Sequence, residues 1–427
     1  MKQKFYLLIS TIFLLFLLLE VSLTFIVTED LDGNLSLNYI HLKPFQIPII
    51  ETEKKIETLI SDKLPDSLLV NYKSKNFTRK YFNIRLIPDS LLGWAPNPIF
   101  KSSDGLYVYN RNGIRTRNIL DEIPPKNKLR IAIFGDSYSH GDEVAFENTI
   151  GNYLEELLNQ SKINAEVINF AVSGYGIDQA FLRWKLIDEQ FNPDIVILGV
   201  QFENAKRNIN LLRPFYYFTT EIPYSKPRFL LEGNALQFLP NPILDIKNTV
   251  DIIKNFDSWQ FSHFEGFYSN QNYHPNFLFY SKTFSLFSST ISQLVGEINY
   301  YKSSSESFKV TYKLFEKFQK DVKDKGEVFI PVHLPVKNDF DFLSQKFLSI
   351  VYNQQFIYDE LFDALRKKAN FVETYDTLEN WGKTKDMNQL FMKRHYSPTA
   401  NKVIANQIFE FIQNEHPQIL FNSKRKN

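Results

Sequence analysis

Hydrophobic positions along this chain are concentrated first in one long block near its start. The segment from Phe5 to Val27 is almost entirely apolar, and at a rise of about 1.5 Å per residue it is long enough to cross a hydrocarbon layer of roughly 30 Å. Lys2 and Lys4 precede the block, and acidic residues follow it from Glu29 onward. Because basic residues favour the cytoplasmic side of a membrane, the pattern predicts residues 1–28 as a transmembrane anchor, with the rest of the chain periplasmic or at the cell surface.

Glu20 is the single charged residue inside this block. A charge at the centre of a membrane helix costs about 2.5 to 3.5 kcal/mol, which the surrounding leucines and phenylalanines can offset. We interpret Glu20 as a residue near the outer interface, with a contact to a partner helix as the alternative. A cleaved signal peptide is the alternative for the whole block, but the apolar run exceeds the usual length of about 7 to 15 residues and no clear cleavage site follows it.

Polar sequence punctuated by prolines occupies residues 29–127. Within it, Glu51–Leu64 predicts a short helix and Gly93–Pro98 predicts an ordered, turn-rich strip. Because the stretch lacks strong periodicity, we interpret it as a stalk followed by an extension that packs on the next domain.

From residue 128 to 420, short apolar runs alternate with segments of helical period. Runs of this kind fill parallel sheets that are buried on both faces, and right-handed crossovers connect them. The pattern predicts an α/β fold, a three-layer α/β/α sandwich around a five-stranded parallel sheet. The predicted strands are Arg130–Phe134, Glu166–Val172, Asp194–Val200, Val328–Leu334 and Asn370–Glu373, and the apolar helix faces are Ile150, Leu154, Leu157 and Leu158, then Ile404, Ile408, Phe411 and Ile412.

An insert at about 210–307 interrupts this alternation and is rich in Phe, Tyr, Asn and Pro. Its aromatic clusters are Phe215–Phe218 and Tyr268–Tyr280. A connection of this length usually carries function or its own structure. It is either a cap beside the active edge of the sheet or additional core packing, and the sequence leaves both open.

Charge and composition exclude several classes of function. The formal net charge is +1, and the chain has no long basic block and no glycine-rich phosphate loop, so nucleic acid is not an expected partner. The absence of cysteine excludes disulfides, thiol catalysis and thiolate metal sites. His140, His263, His274 and His333 show no metal-ligand spacing, and we expect neither a metal nor a cofactor.

Candidate chemistry lies where the predicted strands end. Ligands of such sheets bind outside the carboxyl ends of the strands, and Ser137, Gly174 and Asn204 follow the first, second and third strands. A serine nucleophile needs a base within hydrogen-bond reach. His395, directly before the last helix, is the predicted base, whereas His140, three residues after the serine, is disfavoured because its side chain need not point toward Ser137.

Four blocks in this order resemble the SGNH, or GDSL, hydrolase superfamily. They are Gly135-Asp136-Ser137, Asn169–Gly176 with Gly174, Gly199–Asn204 with Asn204, and His395. The resemblance implies a serine esterase or acyltransferase in which Ser137 attacks an ester carbonyl and His395 takes its proton. It also implies that the backbone N–H groups of Ser137 and Gly174 and the amide of Asn204 hold the oxyanion, while Asp136 braces the turn.

The chain departs from the family pattern at two positions. Met392 stands where the family usually has an acid three residues before the histidine, and Ala205 replaces an Asp that often follows the third-block asparagine. Loss of an orienting acid can lower the rate by about 10⁴-fold. Asp386 is a candidate for that role from the same loop.

Two hypotheses of different classes follow. The first is an extracytoplasmic serine esterase or O-acyltransferase acting on acyl esters of a cell-surface glycan or lipid. The second, motivated by Met392 and Ala205, is a catalytically degenerate SGNH-like protein that binds glycan or assists surface-polymer assembly.

Overall fold

Five parallel strands form the centre of the fold. The computed structural model describes residues 2–38, 40–61, 84–98, 100–117, 120–122, 127–218 and 220–420. Within them the strands are β1 (Thr28–Glu29), β2 (Leu35–Leu37), β3 (Ile40–His41), β4 (Leu86–Asp89), β5 (Gly93–Pro96), β6 (Leu129–Phe134), β7 (Ala165–Asn169), β8 (Ile195–Val200), β9 (Arg228–Glu232), β10 (Ala235–Leu239), β11 (Val328–His333) and β12 (Val372–Glu373). The central sheet has the order β12-β11-β8-β6-β7 with parallel neighbours throughout, which confirms the predicted sheet.

Helices cover both faces of this sheet. Those of the described residues are α1 (Lys2–Ile26), α2 (Ile49–Ser61), α3 (Ser137–His140), α4 (Ile150–Gln160), α5 (Ile177–Phe191), α6 (Glu203–Arg207), α7 (Arg213–Tyr216), α8 (Thr249–Lys254), α9 (Asn270–Tyr273), α10 (Lys282–Asn299), α11 (Glu306–Asp324), α12 (Phe342–Tyr352), α13 (Asp359–Arg366), α14 (Tyr375–Thr384) and α15 (Pro398–Glu415). Along β6, Ala132 and Phe134 join a core closed by α5, α11 and α13, whereas Ile131 and Ile133 join a core closed by α4, α14 and α15. The three-layer α/β/α sandwich is therefore confirmed.

The predicted apolar faces of α4 and α15 pack against each other and against the sheet. Helical period places residues four apart on one face, and these residues are buried while Leu157 and Phe411 lie half-buried at the margin. The buried positions are Ile150, Leu154, Leu158, Ile404, Ile408 and Ile412.

The extension before the sheet packs against the loops at the active edge. The predicted helix is observed as α2, and the part of its predicted span beyond Ser61 lies outside the described residues. The Gly93–Pro98 strip is more regular than expected, because its first four residues are β5, paired antiparallel with β4. Trp94 is fully buried there, and its indole N–H donates to the Ser173 carbonyl at 3.0 Å. The extension is thus attached directly to the strand-end loops.

The insert forms its own small core and also reaches the sheet. Its β9–β10 hairpin packs Phe229 into the core beneath α5 and α11. Phe215, Phe256 and Tyr273 form a separate aromatic core with residues of the N-terminal extension. Most of the aromatic content of the insert therefore serves packing, while α7 at its start borders the cavity described below.

From Gln3 to Ile26, helix α1 is apolar and long enough to cross a membrane. Its length and composition also fit a signal sequence. Glu20, interpreted from the sequence as a residue near the outer interface, contacts the start of helix α10. Its carboxylate accepts hydrogen bonds from the Ser281 hydroxyl at 2.8 Å and from the backbone N–H groups of Lys282 and Thr283 at 2.7 and 2.9 Å. The physical reason is that the first N–H groups of a helix, here α10, lack intrahelical acceptors and attract an anion.

Candidate active site

Ser137 lies at the first position of α3, where β6 turns into the helix. Gly135 precedes it with a φ of +144°, and a Cβ on this residue would clash with the Ser139 hydroxyl and stand 3.0 Å from the Gly199 carbonyl. Only glycine fits this close approach of the turn to β8. Asp136 caps α3 by accepting a hydrogen bond from the Tyr138 N–H at 3.0 Å. Ser137 is thereby presented at the strand end, 8% exposed.

The second oxygen of Asp136 binds the end of β8. It accepts hydrogen bonds from the side chains of Gln201, Asn204 and Arg207 at 2.6, 3.2 and 2.6 Å. Asp136 is completely buried, and a buried carboxylate is tolerated only when it is paired and hydrogen-bonded in this way. Besides capping the turn, Asp136 therefore ties the nucleophile turn to the neighbouring strand.

Asn204 is not placed as the resemblance implied. One amide hydrogen goes to Asp136 and the other to the Tyr175 carbonyl at 3.1 Å, while its oxygen accepts from the Gln201 N–H at 2.8 Å. An amide has only two hydrogens to donate, and Asn204 is not among the residues that line the cavity. Asn204 thus braces the strand end, and both of its amide hydrogens are engaged within the protein.

The backbone N–H groups of Ser137 and Gly174 remain available. Neither donates a hydrogen bond within the described residues, and both residues line one cavity of about 940 Å³. Gly174 has a φ of +83°, a conformation that glycine adopts without strain. These two donors can hold a developing oxyanion.

His395 lines the same cavity as Ser137. Its loop is closed by a hydrogen bond from the Met392 N–H to the His395 carbonyl at 2.8 Å, and the Tyr138 ring lies 5.0 Å from the imidazole, centroid to centroid. Met392 itself is 44% exposed. The structure therefore brings Ser137, Gly174 and His395 to one cavity, with Asp136 beneath them.

The carboxylate beside the imidazole belongs to Glu143, not to Asp386. Glu143 Oε1 lies 3.3 Å from His395 Nδ1, and Oε2 accepts from the backbone N–H groups of Arg394 and His395 at 3.1 and 3.4 Å. The Nδ1 contact is an ion-pair distance outside hydrogen-bond geometry, so buried Nδ1 has no hydrogen-bond partner. Asp386 instead accepts from the Asn388 N–H at 3.0 Å and caps a 3₁₀ turn.

The backbone conformation of Glu143 and the pKa of its carboxyl are also unusual. Its φ of +71° is uncommon for a residue with a side chain, and such outliers often occur at functional sites. Burial acts to raise the pKa of its carboxyl, but the Arg394 N–H and the charge of His395 outweigh it and lower the pKa below the ordinary value. Sequence reasoning missed Glu143 because it lies in the loop after α3, at no recognisable spacing from His395.

His140 belongs to a closed network behind the site. Its Nδ1 lies 2.7 Å from Asp142 Oδ1 and its Nε2 lies 2.9 Å from the Tyr109 hydroxyl. Arg85 and the Ser173 hydroxyl both donate to Asp142, at 2.9 and 2.7 Å. His140 is 1% exposed and does not line the cavity, which places it away from the nucleophile.

Comparisons with known proteins find similarity in solved structures alone. No family model matches the chain, and no curated protein matches it. The similar structures include the acetyl xylan esterase AlAXEase (11% identity, 66% of this chain and 100% of that chain, TM-score 0.36) and a GDSL-like lipase from Parabacteroides merdae (11%, 69% and 96%, 0.35). A catalytic mutant of the acetylxylan esterase Axe2 from Geobacillus stearothermophilus is also similar (12%, 66% and 94%, 0.35).

These similar structures include proteins of the GDSL type, which the sequence motifs resemble.

The buried histidine makes stability depend on pH. Burial lowers the pKa of His140 from 6.5 to about 4 although Asp142 acts to raise it. Between these values the unfolded chain binds a proton that the folded chain does not, so stability falls as pH falls through this window and the effect levels off below about pH 4. At about 1.36 kcal/mol per pKa unit, the contribution is at most about 3 kcal/mol.

Urea unfolding of the full chain in detergent, measured from pH 7.5 to pH 4, tests this. His140→Gln should show a shallower decline of unfolding free energy with falling pH than the wild type. His263→Gln, at an exposed position, is the matched control and should keep the wild-type slope. Equal slopes in His140→Gln and the wild type would contradict the assignment.

Proposed function

We propose that this chain is a serine esterase or acyltransferase that uses Ser137 as nucleophile and His395 as base. The observation that carries the proposal is that Ser137, His395 and the unengaged N–H group of Gly174 line one cavity at the carboxyl ends of the strands. A nucleophile, a base and oxyanion donors in one cleft are the parts that acyl transfer requires.

The reaction proceeds in two steps. The Ser137 hydroxyl oxygen attacks the ester carbonyl carbon while His395 accepts the hydroxyl proton, and the N–H groups of Ser137 and Gly174 bind the oxyanion. Collapse of this intermediate breaks the ester C–O bond, and His395 returns the proton to the leaving alcohol. Water then attacks the acyl-enzyme in a hydrolase, or a sugar hydroxyl does so in a transferase, with His395 again as the base. The acyl C–O bond to Ser137 breaks, and His395 returns the proton to the Ser137 oxygen.

Glu143 is proposed as the positioning residue for His395. Its Oε2 holds two backbone N–H groups of the histidine loop, and its Oε1 faces the imidazole. A carboxylate in this place stabilises the imidazolium that forms during attack. The 3.3 Å contact places the carboxylate charge directly beside Nδ1 of the imidazole, and this arrangement supports a Ser137, His395 and Glu143 triad.

A degenerate binding protein remains the second candidate. It is favoured by the engaged amide of Asn204, which leaves two oxyanion donors where the resemblance implies three. Loss of one such donor typically costs about 2.7 to 4 kcal/mol of transition-state stabilisation. The two candidates differ in whether Ser137 is activated.

Labelling with a fluorophosphonate probe tests the activation of Ser137. The full chain should be labelled stoichiometrically at Ser137 and should release acid from a chromogenic acetyl ester, and Ser137→Ala should abolish both. Ser139→Ala is the control, because it removes a buried hydroxyl that has no hydrogen-bond partner two positions away. A folded wild-type chain that is not labelled would favour the binding protein.

The identity of the acid is tested by two matched substitutions. Glu143→Gln should lower kcat by about 10²- to 10⁴-fold, since it removes the charge that stabilises protonated His395, and should shift the acid limb of the pH profile. Asp386→Asn makes the same change at the acid that the sequence suggested. A larger loss in Asp386→Asn than in Glu143→Gln would overturn the role of Glu143.

We further propose that α1 remains attached and holds the domain outside the cytoplasmic membrane, which makes a cell-surface glycan or lipid ester the accessible substrate. Glu20 supports this, because it caps α10 of the catalytic part, a contact that cleavage would remove. Near this contact Phe277, Tyr280 and Phe287 are 77%, 86% and 62% exposed, as residues beside a membrane helix can be. Helix α1 packs against α10, so these side chains lie on the membrane side of the domain.

Intact mass and protease accessibility test the anchor. Protein extracted from membranes should retain the α1 sequence and should resist release by carbonate, and the domain should be digested by protease added outside spheroplasts. A mature protein that begins after Val27, or a domain protected until the cells are lysed, would refute the proposed topology.

A further inference from the structure

We propose that Arg213 forms an anion subsite in the cavity beside Ser137, so that the ester substrate carries a carboxylate or phosphate group. This inference rests on the proposed function, because it names the substrate class of the same site. The guanidinium lines the cavity, and its Nη1 donates to the Gly174 carbonyl at 3.3 Å.

Arg213 is a buried cation that forms no ion pair among the described residues, although the negative charge of nearby Glu203, which is bonded to Arg207, partly offsets its burial. It is 9% exposed, and its Nε has no hydrogen-bond partner. In the described part of the chain no carboxylate forms an ion pair with it, whereas its neighbour Arg207 is paired with Asp136 and Glu203. A buried charge without a partner is costly, so an arrangement of this kind is expected where a ligand supplies the missing charge.

The aromatic surroundings fix the guanidinium in place. Arg213 lies 4.9 Å from the Tyr216 ring centroid and 6.0 Å from that of Trp94. Burial lowers its pKa to about 10, and the positive charge of Arg207 adds to this effect. The group therefore remains charged near neutral pH, as a preorganised cation.

The subsite adjoins the reacting centre. A Cβ placed on Gly174 would stand 3.4 Å from both the guanidinium carbon and Nη2 of Arg213, and the Gly174 N–H is one of the two proposed oxyanion donors. An anionic group bound to Arg213 would thus lie within one sugar or glycerol unit of the ester bond. Neutral substituents would leave the charge unpaired.

The rest of the cavity wall also carries a net positive charge. Eight lysine or arginine residues line the cavity, against three acidic residues. Each of the three acids is already paired with a basic residue: Asp142 with Arg85, Glu203 with Arg207 and Glu221 with Lys55. Lys206 is paired with Glu297, which does not line the cavity, so four of the eight cations form no ion pair among the described residues. A cleft lined by surplus positive charge concentrates anions, and a guanidinium binds planar carboxylates and phosphates with directed hydrogen bonds. The two matching sources are a uronic acid unit of a glycan and a glycerol phosphate unit.

Two pairs of synthetic esters test the proposal with the full chain in detergent. The first pair is acetylated methyl glucuronoside and acetylated methyl glucoside, and the second is acetylated glycerol phosphate and acetylated glycerol. In at least one pair the wild type should favour the charged ester in kcat/KM by about tenfold or more, and the pair in which it does so identifies the source of the anion. Arg213→Gln should reduce that ratio by a similar factor, and Arg213→Lys should restore part of it.

Lys393→Gln is the matched control, since it removes the same charge from an exposed position on the cavity rim, where solvent and salt screen it. It should change the ratio less than Arg213→Gln does. If Arg213 instead completes the oxyanion hole, Arg213→Gln will lower kcat for charged and neutral esters alike and leave the ratio unchanged. That result, or a wild type without charge preference, overturns the subsite.

Binding measurements separate this inference from the proposed function. Calorimetry on Ser137→Ala with methyl glucuronoside or glycerol phosphate needs no catalysis. Binding that Ser137→Ala shows and Ser137→Ala/Arg213→Gln loses, together with a wild type that hydrolyses no ester, would support the subsite and refute the esterase. If the wild type hydrolyses esters without preferring the charged ones, and Ser137→Ala binds neither methyl glucuronoside nor glycerol phosphate, the subsite is refuted and the esterase is supported. Arg213→Lys, which retains the charge, supplies the comparison if Arg213→Gln unfolds.

Discussion

The buried carboxylate of Asp136 is the constraint on which the site depends. One oxygen caps the helix that presents Ser137, and the other binds three side chains at the end of the neighbouring strand. A charge excluded from water must keep all these partners. The position of the nucleophile is therefore coupled to the strand end and, through Arg207, to the wall of the cavity.

A second buried carboxylate, Asp142, attaches the N-terminal extension to the same edge. Arg85 and Tyr109 come from the extension. They meet Asp142, in the loop after α3, and His140, the last residue of α3. Ser173, immediately before Gly174, joins the same carboxylate. What looks in sequence like a stalk and packing segment is thus part of the support of the loop that carries Gly174. Truncations that remove it would leave the buried carboxylate of Asp142 without Arg85.

The sequence predicted Ser137, Gly174 and His395 as site residues because each follows a strand or precedes a helix that the spacing of apolar residues identifies. Parallel strands bring their carboxyl ends to one edge, so positions after strand ends meet in space. The family resemblance implied a donor role for Asn204, yet the short helix α6 turns its amide inward to Asp136. No sequence pattern indicated the role of Glu143, because its contact with His395 joins residues that are far apart in the chain and follow no local pattern.

By itself the sequence determined the five-stranded sheet, the two layers of helices and the glycine turn that carries Ser137, since apolar periodicity and strand-end position are local properties. It also marked α1 as apolar enough to span a membrane. Only the tertiary structure decided which polar groups are already engaged and which remain free. This applies to Asn204, Glu143 and Arg213. Their hydrogen bonds and charge pairs depend on neighbours that only folding brings together.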